Sequence, residues 1–196
     1  KADLACTKTR LDDRDRQKTT GQTYDRIFIR HWDAWSDGRL NRLFVATLPG
    51  DGKAVSAATL VSGDVHGDVP SRPFGDSGEY TWSPDGKSLV FSARIADAKE
   101  PTSTNFDLYQ VRADGTGAAQ NLTAANPAWD TGATFGADGR TLYYRAMQRP
   151  GFEADRFGLM ALDLATGKQR EIAPQWDRSA DGITLSANGQ TIYTTA

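Results

Sequence analysis

The chain is poor in the residues that most often carry catalysis or cross-linking: one cysteine, two histidines and two methionines. A lone Cys6 closes no disulfide within the chain; it is either a free thiol or the partner of a cysteine outside these residues. No apolar run reaches the roughly eighteen residues that span a bilayer, so no membrane partner is expected. Charge of one sign is missing too. With 23 basic and 25 acidic residues the net charge is −2, and the densest basic stretch, Arg10 to Lys18, is interleaved with aspartates. That is not the electrostatic footprint of a nucleic-acid binder. No His/Cys/Glu spacing suits zinc, and neither an EF-hand loop nor a phosphate-cradling glycine loop is present, so no metal or cofactor is expected.

Nucleophile motifs are also lacking. Gly-x-Ser-x-Gly, which places a serine on a strained strand-to-helix turn, occurs nowhere in the chain. Gly75-Asp76-Ser77-Gly78 shares four residues with the nucleophile motif of trypsin-like proteases, but Glu79 follows. Neither His31 nor His66 has the flanks of that family's base. These small residues read as a loop leading into a strand. No catalytic residue is expected in this chain.

What the chain has is glycine, 19 of them, and a repeat. Tyr80-Thr-Trp-Ser-Pro-Asp85-Gly86-Lys-Ser-Leu-Val-Phe91 returns as Ala133-Thr-Phe-Gly-Ala-Asp138-Gly139-Arg-Thr-Leu-Tyr-Tyr144. It returns again as Ile183-Thr-Leu-Ser-Ala-Asn188-Gly189-Gln-Thr-Ile-Tyr193. Asp-Gly and Asn-Gly supply the positive φ of a tight turn, and the flanks are β-branched and aromatic, so each phrase predicts a hairpin. The glycines lie 53 and 50 residues apart, and such a period signals units that bury their faces only against neighbours. Sialidase Asp-boxes are excluded, because glycine follows the Asp directly.

A second set of strands lies between these phrases: Phe106–Val111 turning at Asp114-Gly115 into Gln120–Thr123, and Phe157–Leu164 turning at Thr166-Gly167 into Gln169–Ile172. An earlier copy, Arg42–Leu48, turns at Asp51-Gly52 into Ala58–Val61. Two hairpins per period make a four-stranded antiparallel blade. The expectation is an all-β fold, a β-propeller fragment of about three blades' worth, with one short helix between Cys6 and Lys18. Its parts would be an insertion over 7–39, an outer hairpin over 40–62, blades over 79–123 and 130–173, and an inner hairpin over 181–196. Propellers close with four to eight blades, so blades are expected to be missing on both sides. An independent small β-sandwich is the competing fold. Trp82, Val90, Phe135, Tyr143, Leu185 and Ile192 are expected to be buried or to face neighbouring blades.

The repeat is broken at Arg30-His31-Trp32-Asp33-Ala34-Trp35, which packs aromatic and ionisable groups as ligand-facing surfaces do. A plainer alternative has both tryptophans filling a gap between blades and Asp33 paired with Arg30. A site that receives a peptide's α-ammonium group needs carboxylates beside aromatic walls. Asp33 and Glu79 are the carboxylates nearest aromatic clusters, and Trp32, Trp35, Tyr80 and Trp82 are the candidate walls.

Arg30–Trp35 together with Leu43-Phe-Val resembles the propeller of bacterial prolyl-oligopeptidase-family serine peptidases, in the dipeptidyl-peptidase-5 and acylaminoacyl-peptidase-like branch. Trp82-Ser-Pro-Asp-Gly-Lys is similar to a repeat shared by those propellers and by TolB-type ones. The resemblance implies a propeller that gates peptide access to a C-terminal α/β-hydrolase domain, absent from this chain, with a Ser–Asp–His triad. It also implies a peptide substrate and a periplasmic or secreted location. A TolB-like propeller that binds a protein without catalysis is the alternative.

Overall fold

The structure is a computed structural model, and it describes residues 3–21, 23–50 and 55–196. The expected turn at Asp51-Gly52 lies outside the described residues. Helix α1 spans Leu4–Asp15. The Asp3 side chain caps it by accepting from Cys6 N at 3.0 Å, and Lys8–Asp12 and Arg16–Asp13 pair along its surface at 2.6 and 2.9 Å. None of its residues is buried. So short a helix without packing is marginal in water, and its stability rests on the cap and these pairs. It is not long or apolar enough to cross a membrane, nor is any other helix among the described residues.

Two small hairpins follow. Strands β1 (Arg30–His31) and β2 (Ala34–Trp35) pair with Arg30 opposite Trp35, and β3 (Phe44–Val45) pairs with β4 (Thr59–Leu60). The first four-stranded antiparallel sheet is built from β5 (Tyr80–Trp82), β6 (Ser88–Ala93), β7 (Asp107–Arg112) and β8 (Gln120–Asn121), in that order. The second has β9 (Asp130–Phe135), β10 (Thr141–Ala146), β11 (Gly158–Asp163) and β12 (Gln169–Ile172). A last hairpin pairs β13 (Thr184–Leu185) with β14 (Ile192–Tyr193). The fold is all-β with four-stranded antiparallel blades, as the repeat predicts; the one α-helix among the described residues, Leu4–Asp15, starts and ends earlier than the expected span between Cys6 and Lys18.

Side-chain alternation explains why the units stack. Along β6, Leu89, Phe91 and Ala93 join Tyr109 and Val111 in a core shared with Leu43, Val61, Val65 and Val69 of the preceding unit. From the opposite face of the same sheet, Val90 and Leu108 join Phe135, Leu142, Tyr144 and Leu162 of the next one. One strand with period two thus feeds two cores. Ser92 Oγ adds a cross-blade bond to the Asp130 carbonyl at 2.8 Å.

The repeated turns are looser than a two-residue hairpin. Ser83 N donates to Ser88 O at 2.9 Å, Gly136 N to Thr141 O at 2.7 Å and Ser186 N to Thr191 O at 2.9 Å, each closing a four-residue loop. In each, only the glycine enters the left-handed region, at φ 68°, 65° and 68° for Gly86, Gly139 and Gly189. The acidic or amide side chain before it accepts from the backbone N–H two residues on, at 3.0, 2.9 and 3.1 Å. That Asx bond is why Asp and Asn occupy the position.

Several burial expectations need correction. Val90 and Phe135 are buried. Trp82 is 45% exposed, because it ends an edge strand with a neighbour on one side only. In β10 the core residues are Leu142 and Tyr144, while Tyr143, one position out of phase, is half-buried. Leu185 and Ile192 pair across a lone two-stranded hairpin and are half-buried.

Candidate functional site

Trp32 and Asp33 form the two-residue turn between β1 and β2. Trp32 has φ 49°, an uncommon conformation for a bulky residue, and strain of this kind persists only where neighbours hold it. Here they are aromatic: the Trp32 ring lies 5.0 Å from Phe74 and 5.5 Å from His31, and His31 lies 5.9 Å from Phe28. Trp32, Trp35 and Phe74 are nevertheless 72%, 59% and 68% exposed. The tryptophans therefore do not fill a gap between blades within the described residues. Arg30 sits over the Trp35 ring at 5.5 Å, and no ion pair joins Arg30 to Asp33 among the described residues.

Beside this hairpin lies a cavity of about 370 Å³, within the size range of small-ligand sites. Phe28, Arg30 and Trp35 form one wall, Asn41, Asp68 and Arg72 another, and Arg94, Glu100 and Phe106 come from the first blade and the loop after β6. Asp68 accepts from Asn41 N at 2.6 Å and forms an ion pair with Arg72, whose Nε lies 3.3 Å away. Burial raises both Asp68 and Glu100 above the ordinary carboxylate range, against the pull of Arg72 on the first and Arg94 on the second. Arg94 is held between two rings, Phe28 at 5.4 Å and Phe106 at 5.1 Å.

Of the six residues singled out from the sequence, Trp35 lines the cavity, Trp32 and Asp33 sit on the same hairpin beyond it, and Tyr80 starts β5 outside the lining. Glu79 is occupied elsewhere. Its carboxylate accepts from Ser71 N and from Ser71 Oγ, both at 2.6 Å, which fixes the loop whose Ser71 and Arg72 line the cavity. Trp82 ends β5, outside the lining. The cavity carboxylates Asp68 and Glu100 and the arginines 26, 72 and 94 escaped the sequence reading. They come from separate segments, and no local motif marks them.

Ser77 lies exposed in the 3₁₀ turn Ser77–Glu79, started by an Asp76 side-chain bond to Gly78 N at 2.7 Å. Among the described residues no histidine hydrogen-bonds to it: His66 meets Arg26 at 2.7 Å, and His31 packs against rings. Nor does any group of three His, Cys, Asp or Glu side chains gather at metal-binding range among the described residues.

No protein-family model matches the chain. It is 30% identical over 191 residues to dipeptidyl-peptidase 5 of Arthroderma otae, and 28% identical over 180 residues to dipeptidyl-peptidase 5 of Porphyromonas gingivalis. Each match covers 91% of this chain and 26% of the relative. Among solved structures, TolB from Acinetobacter baumannii aligns with a TM-score of 0.45 and 20% identity, over 60% of this chain and 26% of that one. The chain is thus similar over nine-tenths of its length to proteins named dipeptidyl-peptidase 5, and it spans about a quarter of theirs.

Proposed function

We propose that this chain is the substrate-gating propeller part of a serine exopeptidase, a dipeptidyl aminopeptidase or acylaminoacyl peptidase. Its hydrolase domain would lie outside these residues. The observation that carries the reading is the similarity to dipeptidyl-peptidase 5 over 91% of the chain. The exposed rings of Trp32 and Trp35 and the cavity beside them support a surface that meets short peptides.

In this reading the propeller does no bond-breaking. It excludes folded proteins and presents peptide ends, while a serine of the hydrolase domain attacks the scissile carbonyl. Asp33 at the hairpin tip would attract the α-ammonium group, with the indoles of Trp32 and Trp35 adding cation–π attraction. Glu79 would act indirectly, through the Ser71 loop it holds. The test is the N-terminal extent of the cut: full-length protein should release dipeptides or acyl-amino acids, and serine-directed reagents should stop it. Hydrolysis by the 196-residue chain alone would contradict the division of labour.

A further inference from the structure

Five arginines and two carboxylates line the cavity, and the pairing among them is incomplete. Arg39 is answered by Asp37, Arg72 by Asp68, and Arg94 stands 4.0 Å from Glu100. Arg26 and Arg30 have no carboxylate within ion-pair range among the described residues. Arg30 rests on the Trp35 ring, and Arg26 points a guanidinium nitrogen at His66 Nε2, 2.7 Å away. An imidazole is a poor substitute for an anion. Partial burial and the charges of Arg26 and Arg42 keep His66 less easily protonated than usual, so it serves as a neutral acceptor. Deeper in the same cavity, Arg94 Nε is buried with no acceptor among the described residues. Cationic donors in excess, facing one concave and aromatic-walled space, leave an ion pair half made. Guanidinium forks match carboxylates in geometry, and partial exclusion of water strengthens the attraction.

We infer that the cavity binds a carboxylate carried beside an apolar or aromatic group, with Arg26 and Arg30 as its ion-pair partners and Phe28 and Trp35 as its walls. The acidic side chain or the free C-terminus of a peptide has this chemistry. Asp68 and Glu100 in the wall disfavour a dianion such as phosphate more than a single carboxylate. The inference rests on the peptidase reading for the source of the carboxylate, and not for the site itself.

Calorimetric titration of the 196-residue chain tests it with acetyl-Phe-Asp-amide, its neutral isostere acetyl-Phe-Asn-amide, acetyl-Ala-Phe with a free C-terminus, and inorganic phosphate. At least one acidic peptide should bind about tenfold or more tightly than the neutral isostere, the scale of a charge-assisted contact. The tighter of the two acids identifies a side chain or a C-terminus as the source. Arg26→Gln and Arg30→Gln should each weaken the acidic peptide about fivefold or more, while Arg30→Lys keeps part of the affinity because it keeps the charge. Both arginines are exposed, so melting temperatures should hold. Equal binding of the Asn peptide, tighter binding of phosphate, or indifference to both Gln variants overturns the inference. If the full-length protein proves to have no peptidase activity while the chain still prefers the acidic peptide, the peptidase reading fails and the site stands. The reverse pair of results removes the site alone.

Discussion

Asn126 Nδ2 donates to Asp130 Oδ1 at 2.9 Å, while Asp130 Oδ2 is buried beside it with no partner among the described residues. The carboxyl group is fully buried between the two complete blades. Burial raises it to about 7; Asn126 and Thr123 pull it back, and Asp107 adds to the rise. Below about pH 4 both folded and unfolded chains hold this proton. Between about pH 4 and 7 the unfolded chain releases it and the folded chain does not, so stability falls as pH rises and levels off above about 7. The loss is on the order of 4 kcal/mol for this one group. Asp130→Asn keeps the bond from Asn126 and removes the proton. Urea unfolding from pH 4 to 8 should show the wild-type loss absent from the variant, and parallel pH profiles would refute it.

Gly115 and Gly86 separate backbone strain from crowding. Both have positive φ, but a methyl group at Gly86 meets open space, whereas one at Gly115 would lie 2.6 Å from Thr59 Cγ2 and 3.1 Å from Leu60 O. Gly86→Ala should cost about 1 kcal/mol, the usual penalty of the left-handed region. Gly115→Ala should cost clearly more, because β4 must move away from the first blade. Equal urea midpoints for the two variants would show that this contact contributes nothing.

Glu79 offers a direct contest between two roles. If it holds the Ser71 loop, Glu79→Ala removes both acceptors, leaves the Ser71 N–H and hydroxyl without that partner and lowers stability by about 1–2 kcal/mol. If it meets substrate instead, melting is unchanged and peptide turnover by the full-length protein falls. Thermal melts together with kcat/KM distinguish these outcomes, and the two bonds at 2.6 Å favour the first.

Most of the fold was legible because its determinants are local. Asp-Gly and Asn-Gly at fixed spacing specify the turns, and alternation along β6 and β7 specifies two faces. The β1–β2 hairpin was not read as strands, since two residues on each side are too few to show a period. An aromatic residue in a strand pattern suggests burial or a blade-facing position, or for Trp82 a wall of the peptide site; its place on a sheet edge depends on strand order, which no local pattern carries. The cavity was legible only in part. Arg30 and Trp35 fall in the dense segment, whereas Arg26, Asp68, Arg94 and Glu100 meet there through stacking of units far apart in sequence.

Asp33 is exposed at the hairpin tip, with no hydrogen bond or ion pair among the described residues. Asp33→Asn should therefore leave melting within about 0.5 kcal/mol of wild type, as surface changes usually do. In the full-length protein it should weaken hydrolysis of peptides with a free α-amino group about tenfold or more, the scale of one charge-assisted contact, and spare N-acylated ones. Equal effects on both substrate types would remove Asp33 from ammonium recognition.

The most direct measurement of the central claim is hydrolysis of dipeptidyl and acyl-aminoacyl chromogenic substrates by the full-length protein and, in parallel, by the 196-residue chain. The account predicts turnover by the full-length protein that a serine-directed phosphonate or fluorophosphonate abolishes, and none by the chain alone, with or without Ser77→Ala. A full-length protein with no such turnover, or a chain whose own turnover disappears with Ser77→Ala, would contradict it.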